Sequence, residues 1–122
     1  MNIAEIILSQ LGGNKFTVMT GSKNYMFAEV TETNKEPWLR MDLAKNYSKC
    51  NRLKITLNSM DLYRLEFYTM RKTSAKKLIE DENADIFTIS NKTIFEDIYA
   101  EDLQNVFTNF TQLYTRFGQQ LY

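Results

Sequence analysis

The chain predicts an α+β domain: an antiparallel sheet of five or six strands with an N-terminal and a C-terminal helix packed on one face. Three observations lead there. From Tyr99 to Phe117, apolar residues fall at Leu103, Val106, Phe107, Phe110, Leu113, Tyr114 and Phe117, stepping by three and four as one stripe of a helix does. Arg52–Leu57 and Leu62–Met70 instead alternate apolar with polar and are separated by the polar turn Asn58–Asp61, the pattern of a β-hairpin. Finally, 122 residues at 43% hydrophobic content suffice for one core and not two, so residues 1–122 form a single domain.

At the start of the chain, Asn2–Leu11 reads as a short helix, with Asn2 as its cap, Glu5 three residues on, and Ile3, Ile6, Ile7 and Leu11 on one face before Gly12 and Gly13. Lys15–Thr20 alternates around Phe16 and Val18. With the turn Gly21–Asn24 and the run Tyr25–Val30 it predicts a hairpin. Thr31–Pro37 is a loop ending in the only proline. Trp38–Leu43 then predicts a strand with Leu39, Met41 and Leu43 inward and Trp38, Arg40 and Asp42 outward. Asn46–Asn51 is a second loop. In the central hairpin Leu53, Ile55, Leu57, Tyr63, Leu65 and Phe67 point inward, while Arg52, Lys54, Thr56, Arg64, Glu66 and Tyr68 point outward. Residues 71–83 fit a loop, a helical turn or a hairpin arm, and Phe87 and Ile89 favour a sixth strand over Asp85–Ile89. The last helix is expected to run to Phe117, with Gly118 as its stop. Its wet face would hold Gln104, Asn105, Thr108, Asn109, Gln112 and Thr115, and Phe110 would sit at the centre of the helix–sheet core.

Composition narrows the function classes. The sequence lacks histidine, which removes the commonest general base, the Ser-His-Asp and Cys-His arrangements and most zinc sites; no enzyme activity and no cofactor are expected. One cysteine, Cys50, excludes a disulfide scaffold, and its neighbours Lys49 and Arg52 do not make a lone loop thiol a catalytic one. No apolar run is long enough to span a membrane and the N-terminus lacks a signal-peptide layout, so no membrane association is expected. The sequons at Asn46, Asn91 and Asn109 read as chance. Gly21–Asn24 lacks the order of a phosphate loop, and the acidic groups at 80–85 and 96–102 lack the spacing of a calcium loop.

Charge is balanced overall but divided along the chain. Residues 45–77 hold nine basic and two acidic side chains, net plus seven, and residues 80–102 hold one basic and eight acidic, net minus seven. The two blocks either neutralise each other as solvated segments of the fold or offer contact surfaces. The acidic one, Glu80, Asp81, Glu82 and Asp85, would act as a nucleic-acid mimic, and the basic one would meet phosphates. The outward strand positions favour the basic block, because Trp38, Arg40, Arg52, Lys54, Arg64 and Tyr68 would share the sheet face opposite the helices. Aromatics interleaved with cations are how sheets stack single-stranded bases.

The segments LGGNKFTVMTGSKN at 11–24, LKITLNSMDLYRLEF at 53–67 and IYAEDLQNVFTNFTQLYT at 98–115 together resemble a set of small, largely uncharacterised proteins encoded by bacteriophages, prophages and mobile elements. The chain departs from them in residues 72–95, a longer connection to the last helix. The resemblance implies phage origin and residence in the cytoplasm of a bacterial host, and it brings no catalytic residues. Taken with the small size and the split charge, it leads to the expectation of a non-enzymatic interaction protein. The expected role is inhibition of a host defence complex in the manner of an anti-CRISPR, by binding an RNA-guided nuclease or its guide RNA, the partner being a host defence protein or ribonucleoprotein. The alternative is an accessory protein of phage replication that binds single-stranded RNA or DNA.

Overall fold

A computed structural model describes residues 2–119. The elements are α1 (Ile3–Leu11), α2 (Asn14–Thr20), β1 (Lys23–Ala28), β2 (Trp38–Asp42), β3 (Arg52–Leu57), β4 (Tyr63–Lys72), α3 (Ala75–Glu80), β5 (Phe87–Ile98), a 3₁₀ turn Ala100–Asp102 and α4 (Leu103–Thr111). The five strands pair antiparallel in chain order, so the sheet is a meander. Its inner face presents Leu39, Met41, Leu53, Ile55, Tyr63, Leu65 and Phe67, and Ile7 and Leu11 of α1, Phe16 of α2, and Leu103 and Phe107 of α4 close over it. The expected α+β class, the antiparallel sheet and the two terminal helices are all present. No helix among the described residues is long and apolar enough to cross a membrane.

The N-terminal helix starts as its sequence dictates, Asn2 Oδ1 accepting from the Glu5 amide at 2.8 Å. The segment after it departs from expectation. Lys15–Thr20 is no strand of a hairpin with Tyr25–Val30, as its alternation suggested; it is the two-turn helix α2. Gly12 at φ 128° and Gly13 at φ 63° let the chain reverse out of α1 within two residues, and the left-handed Gly21 closes the second helix. Any Cβ at Gly12 would stand 3.3 Å from that of Phe16. The two buried residues of α2, Phe16 and Thr20, are four apart, while Val18, the other apolar member of the apparent alternation, is 81% exposed. Phe16 meets Phe107 edge-on, the ring centroids 5.0 Å apart, and that tertiary contact decides between the two periods.

The stretch between the central hairpin and the last helix also differs. The fifth and outermost strand is not confined to Asp85–Ile89; it runs twelve residues over Phe87–Ile98 and pairs along the whole of β4. No sixth strand occurs among the described residues. Because β3 begins opposite Tyr68, the portion of β4 beyond it pairs with β5 alone, as a two-stranded ribbon with α3 in its connecting segment. Thr73 anchors the base of that segment, its amide donating to the Ile86 carbonyl at 2.8 Å and its hydroxyl to that of Asp85 at 2.5 Å.

The C-terminal helix is half as long as its apolar stripe suggested, ending at Thr111 with Gln112 left-handed at φ 62°. Threonine chemistry stops it. The Thr111 hydroxyl donates to the Phe107 carbonyl at 2.8 Å and accepts from the Leu113 amide at 3.1 Å, while the Thr108 hydroxyl donates to the Leu113 carbonyl. Thr108 and Thr115, expected on the wet face, are fully buried, and Phe117, expected on the apolar stripe, is 81% exposed. The Thr115 amide and hydroxyl both donate to Gln119 Oε1. Phe110 is only half-buried, packed at the rim against Phe67 and Phe95; the central ring of α4 is Phe107.

Candidate nucleic-acid interface

All six residues singled out from the sequence lie on the outer face of β2, β3 and β4, and the register brings them into three rows. Trp38 stands opposite Thr56 and Thr56 opposite Arg64; Arg40 opposite Lys54 and Lys54 opposite Glu66; Asp42 opposite Arg52 and Arg52 opposite Tyr68. They are not equally free. Arg52 Nε lies 2.9 Å from Asp42 Oδ1, and Arg64 Nε lies 3.1 Å from Glu66 Oε1, with its Nη2 3.6 Å from Glu36. Tyr68 is 6% exposed and so offers no face for a base to stack on. The expected six-residue platform therefore contracts to three.

Those three are Trp38, Arg40 and Lys54. The Arg40 guanidinium carbon lies 5.8 Å, and the Lys54 ammonium 5.1 Å, from the centroid of the Trp38 ring. Arg40 Nη2 also reaches Met26 Sδ, and neither cation has a carboxylate within ion-pair distance among the described residues. Beneath this cluster the Thr56 hydroxyl is buried without a hydrogen-bond partner. The arrangement pairs an indole with two fixed positive charges, what an unpaired base with its flanking phosphates requires.

Glu66 controls the rest of the face. It lies between two cations, receiving Arg64 on Oε1 and Lys92 of β5 on Oε2, each at 3.1 Å. Burial pushes its carboxyl upward, but the hydrogen bonds from Lys92 and Arg64 and the charges of Lys92 and Lys54 outweigh that and hold it below its ordinary value. A carboxyl with its folded value lowered stabilises the fold above its unfolded value of 4.5 and loses that contribution as the pH falls through the lowered folded value. Stability measured by urea unfolding should accordingly hold above about pH 5 and decline on acidification below it, with Glu66→Gln removing part of the decline. An unchanged acid limb in that variant would assign the decline to other carboxylates.

The counterions Asp42 and Glu66 were legible, since both fall on outward positions of the alternating strands, but only the register shows which cations they neutralise. Lys92 was not, because the strand signal in the sequence ends at Ile89. A further cationic feature escaped the sequence altogether: a hollow of about 500 Å³ between the loop 43–51 and the β4 ribbon. It is lined by Lys45, Lys49 and Arg71 with no carboxylate, and Cys50 at its floor is 3% exposed. The acidic residues Glu80, Asp81, Glu82 and Asp85 are all exposed, on α3 and the segment after it. No three carboxylate or cysteine side chains converge as metal ligands would among the described residues. Comparison with protein-family models, with curated proteins and with solved structures returns no match.

Proposed function

We propose that the chain is a non-enzymatic interaction protein that binds a host defence ribonucleoprotein, an RNA-guided nuclease being the target class, through the Trp38 surface. The observation that carries this reading is the Arg40–Trp38–Lys54 cluster, an indole flanked at 5.8 and 5.1 Å by cations that have no carboxylate within ion-pair distance among the described residues. A guide RNA held on its protein offers the complementary chemistry, unpaired bases beside phosphates. The phage-like resemblance of three segments supports the choice of a defence complex over a replication intermediate.

The test is binding of the purified protein to a loaded RNA-guided nuclease, to its free guide RNA and to an unrelated single strand, at low and at physiological salt. Trp38→Ala is expected to weaken binding to the loaded complex by roughly 5- to 150-fold, the worth of one stacked base. Arg40→Glu with Lys54→Glu should abolish binding, because two phosphate-facing charges are reversed at positions fixed by the strands. Equal affinity for every single strand, lost at physiological salt, would support the replication accessory instead. Wild-type binding by the reversed pair, together with loss on neutralising Glu80, Asp81, Glu82 and Asp85, would move the contact to the acidic segment.

A further inference from the structure

β5 is one of the two edges of the sheet, β1 being the other, so one side of its backbone carries N–H and C=O groups with no strand to receive them. Its outward side chains include Ile94, 46% exposed, between Lys92 and Glu96. Two residues interrupt the strand. Asn91 at φ 53° and Asp97 at φ 55° are left-handed, and the register with β4 slips by one residue beside each. Flat, pairable edge is therefore limited to residues 92–96, with Ile94 at its centre.

We propose that the protein self-associates through this edge, two copies pairing antiparallel over residues 92–96 about a two-fold axis at Ile94. The side chains select that register. With Ile94 on the axis it stacks on Ile94 of the second copy, and Lys92 of each copy lies directly across from Glu96 of the other, on the same face. An axis at Lys92 would set lysine against lysine, an axis at Glu96 carboxylate against carboxylate, and an axis at Thr93 or Phe95 would leave both charges unmatched. Asn91 and Asp97 are each three residues from Ile94, so the left-handed residues of the two copies fall opposite one another and both strands leave the flat stretch together. Lys92 already holds Glu66 at 3.1 Å, but its side chain is 49% exposed and its ammonium has three donors, enough for a second carboxylate. A lone edge lysine ordinarily discourages pairing; this register supplies its counterion. The outcome is a ten-stranded sheet, twice the five of one chain, with α1, α2 and α4 of both copies on one side and both Trp38 surfaces on the other.

Cysteine cross-linking tests the register. Residues facing each other on a two-fold axis have Cα atoms about 4.5 to 5.5 Å apart, within disulfide range. Ile94→Cys should therefore give a covalent dimer under mild oxidation, the native Cys50 being buried. Ile89→Cys, whose copies would lie about 30 Å apart, should give none. In sedimentation experiments the wild-type protein should show a monomer–dimer equilibrium. Glu96→Lys should weaken it by at least about tenfold, because it sets lysine against Lys92 of the other copy, whereas Glu96→Asp should keep most of it; Lys92 is left in place because it also holds Glu66. This last arm leaves every apolar residue in place and does not depend on the cysteine variants folding. A wild-type protein that stays monomeric at all concentrations, cross-linking of Ile89→Cys as readily as Ile94→Cys, or association left unchanged by Glu96→Lys would overturn the proposal.

Discussion

Phe107→Ala is expected to lower stability by about 3 to 5 kcal/mol, the largest effect expected of any single truncation in this core. The ring is fully buried and is the point at which three layers meet: Phe16 of α2 lies 5.0 Å away edge-on and Phe67 of β4 6.2 Å away, by ring centroids. Removing it leaves a cavity walled by α1, α2 and the sheet. None of these walls can collapse inward without losing its own contacts, since α2 is held to α1 through two left-handed glycines. Thermal melting should fall by roughly 10 °C or more. Phe110→Ala is expected to cost less, because Phe110 is half-buried at the rim and water can fill part of the space it vacates. A larger loss from Phe110 than from Phe107 would mean that the core is centred further along the helix, as the apolar stripe alone suggested.

Glu66→Ala is expected to destabilise by about 2 to 4 kcal/mol, although the change makes the sheet face more apolar. The carboxylate, whose side chain is 11% exposed, receives Arg64 and Lys92 at 3.1 Å each. Without it two cations on neighbouring strands face one another with nothing between them, and the repulsion falls on β4 and β5 at the junction that joins the edge strand to the sheet. The measurement is the urea midpoint, with Lys92→Ala in the same background. If removal of Lys92 recovers part of the loss, the cost is electrostatic; if it does not, the loss comes from packing around the aliphatic part of Glu66. The same geometry revises what reversal of the basic strands should do. On the sequence alone, changing Arg52, Lys54 and Arg64 to Glu should barely change stability, since exposed strand positions usually shift folding by less than about 0.5 kcal/mol. In the structure two of the three are bound to Asp42, Glu66 and Glu36, and the charge of Lys54 helps hold Glu66 ionised, so that triple change disturbs the fold as well as any binding surface, and Arg40 reports most directly on binding.

Alternation at Trp38–Leu43, Arg52–Leu57 and Leu62–Met70 determined by itself the inner and outer faces of the three central strands, and hence that Trp38, Arg40 and Lys54 share a surface. A period of two leaves one assignment once the apolar set must be buried. The Asn2 cap likewise determined where the first helix starts. Three things belonged to the tertiary structure. Lys15–Thr20 is too short for its period to be decisive, and it became a helix because Phe16 packs on Phe107, a residue far along the chain. The last helix stops at Thr111 because buried threonine hydroxyls capture backbone groups that a longer helix would have used, a competition that burial decides and periodicity does not register. The working charge of the outer face was also settled there. Sequence counts cations, but a cation's availability depends on the carboxylate one strand away, and the distance from Arg52 to Asp42 or from Lys92 to Glu66 exists only once the strands are in register.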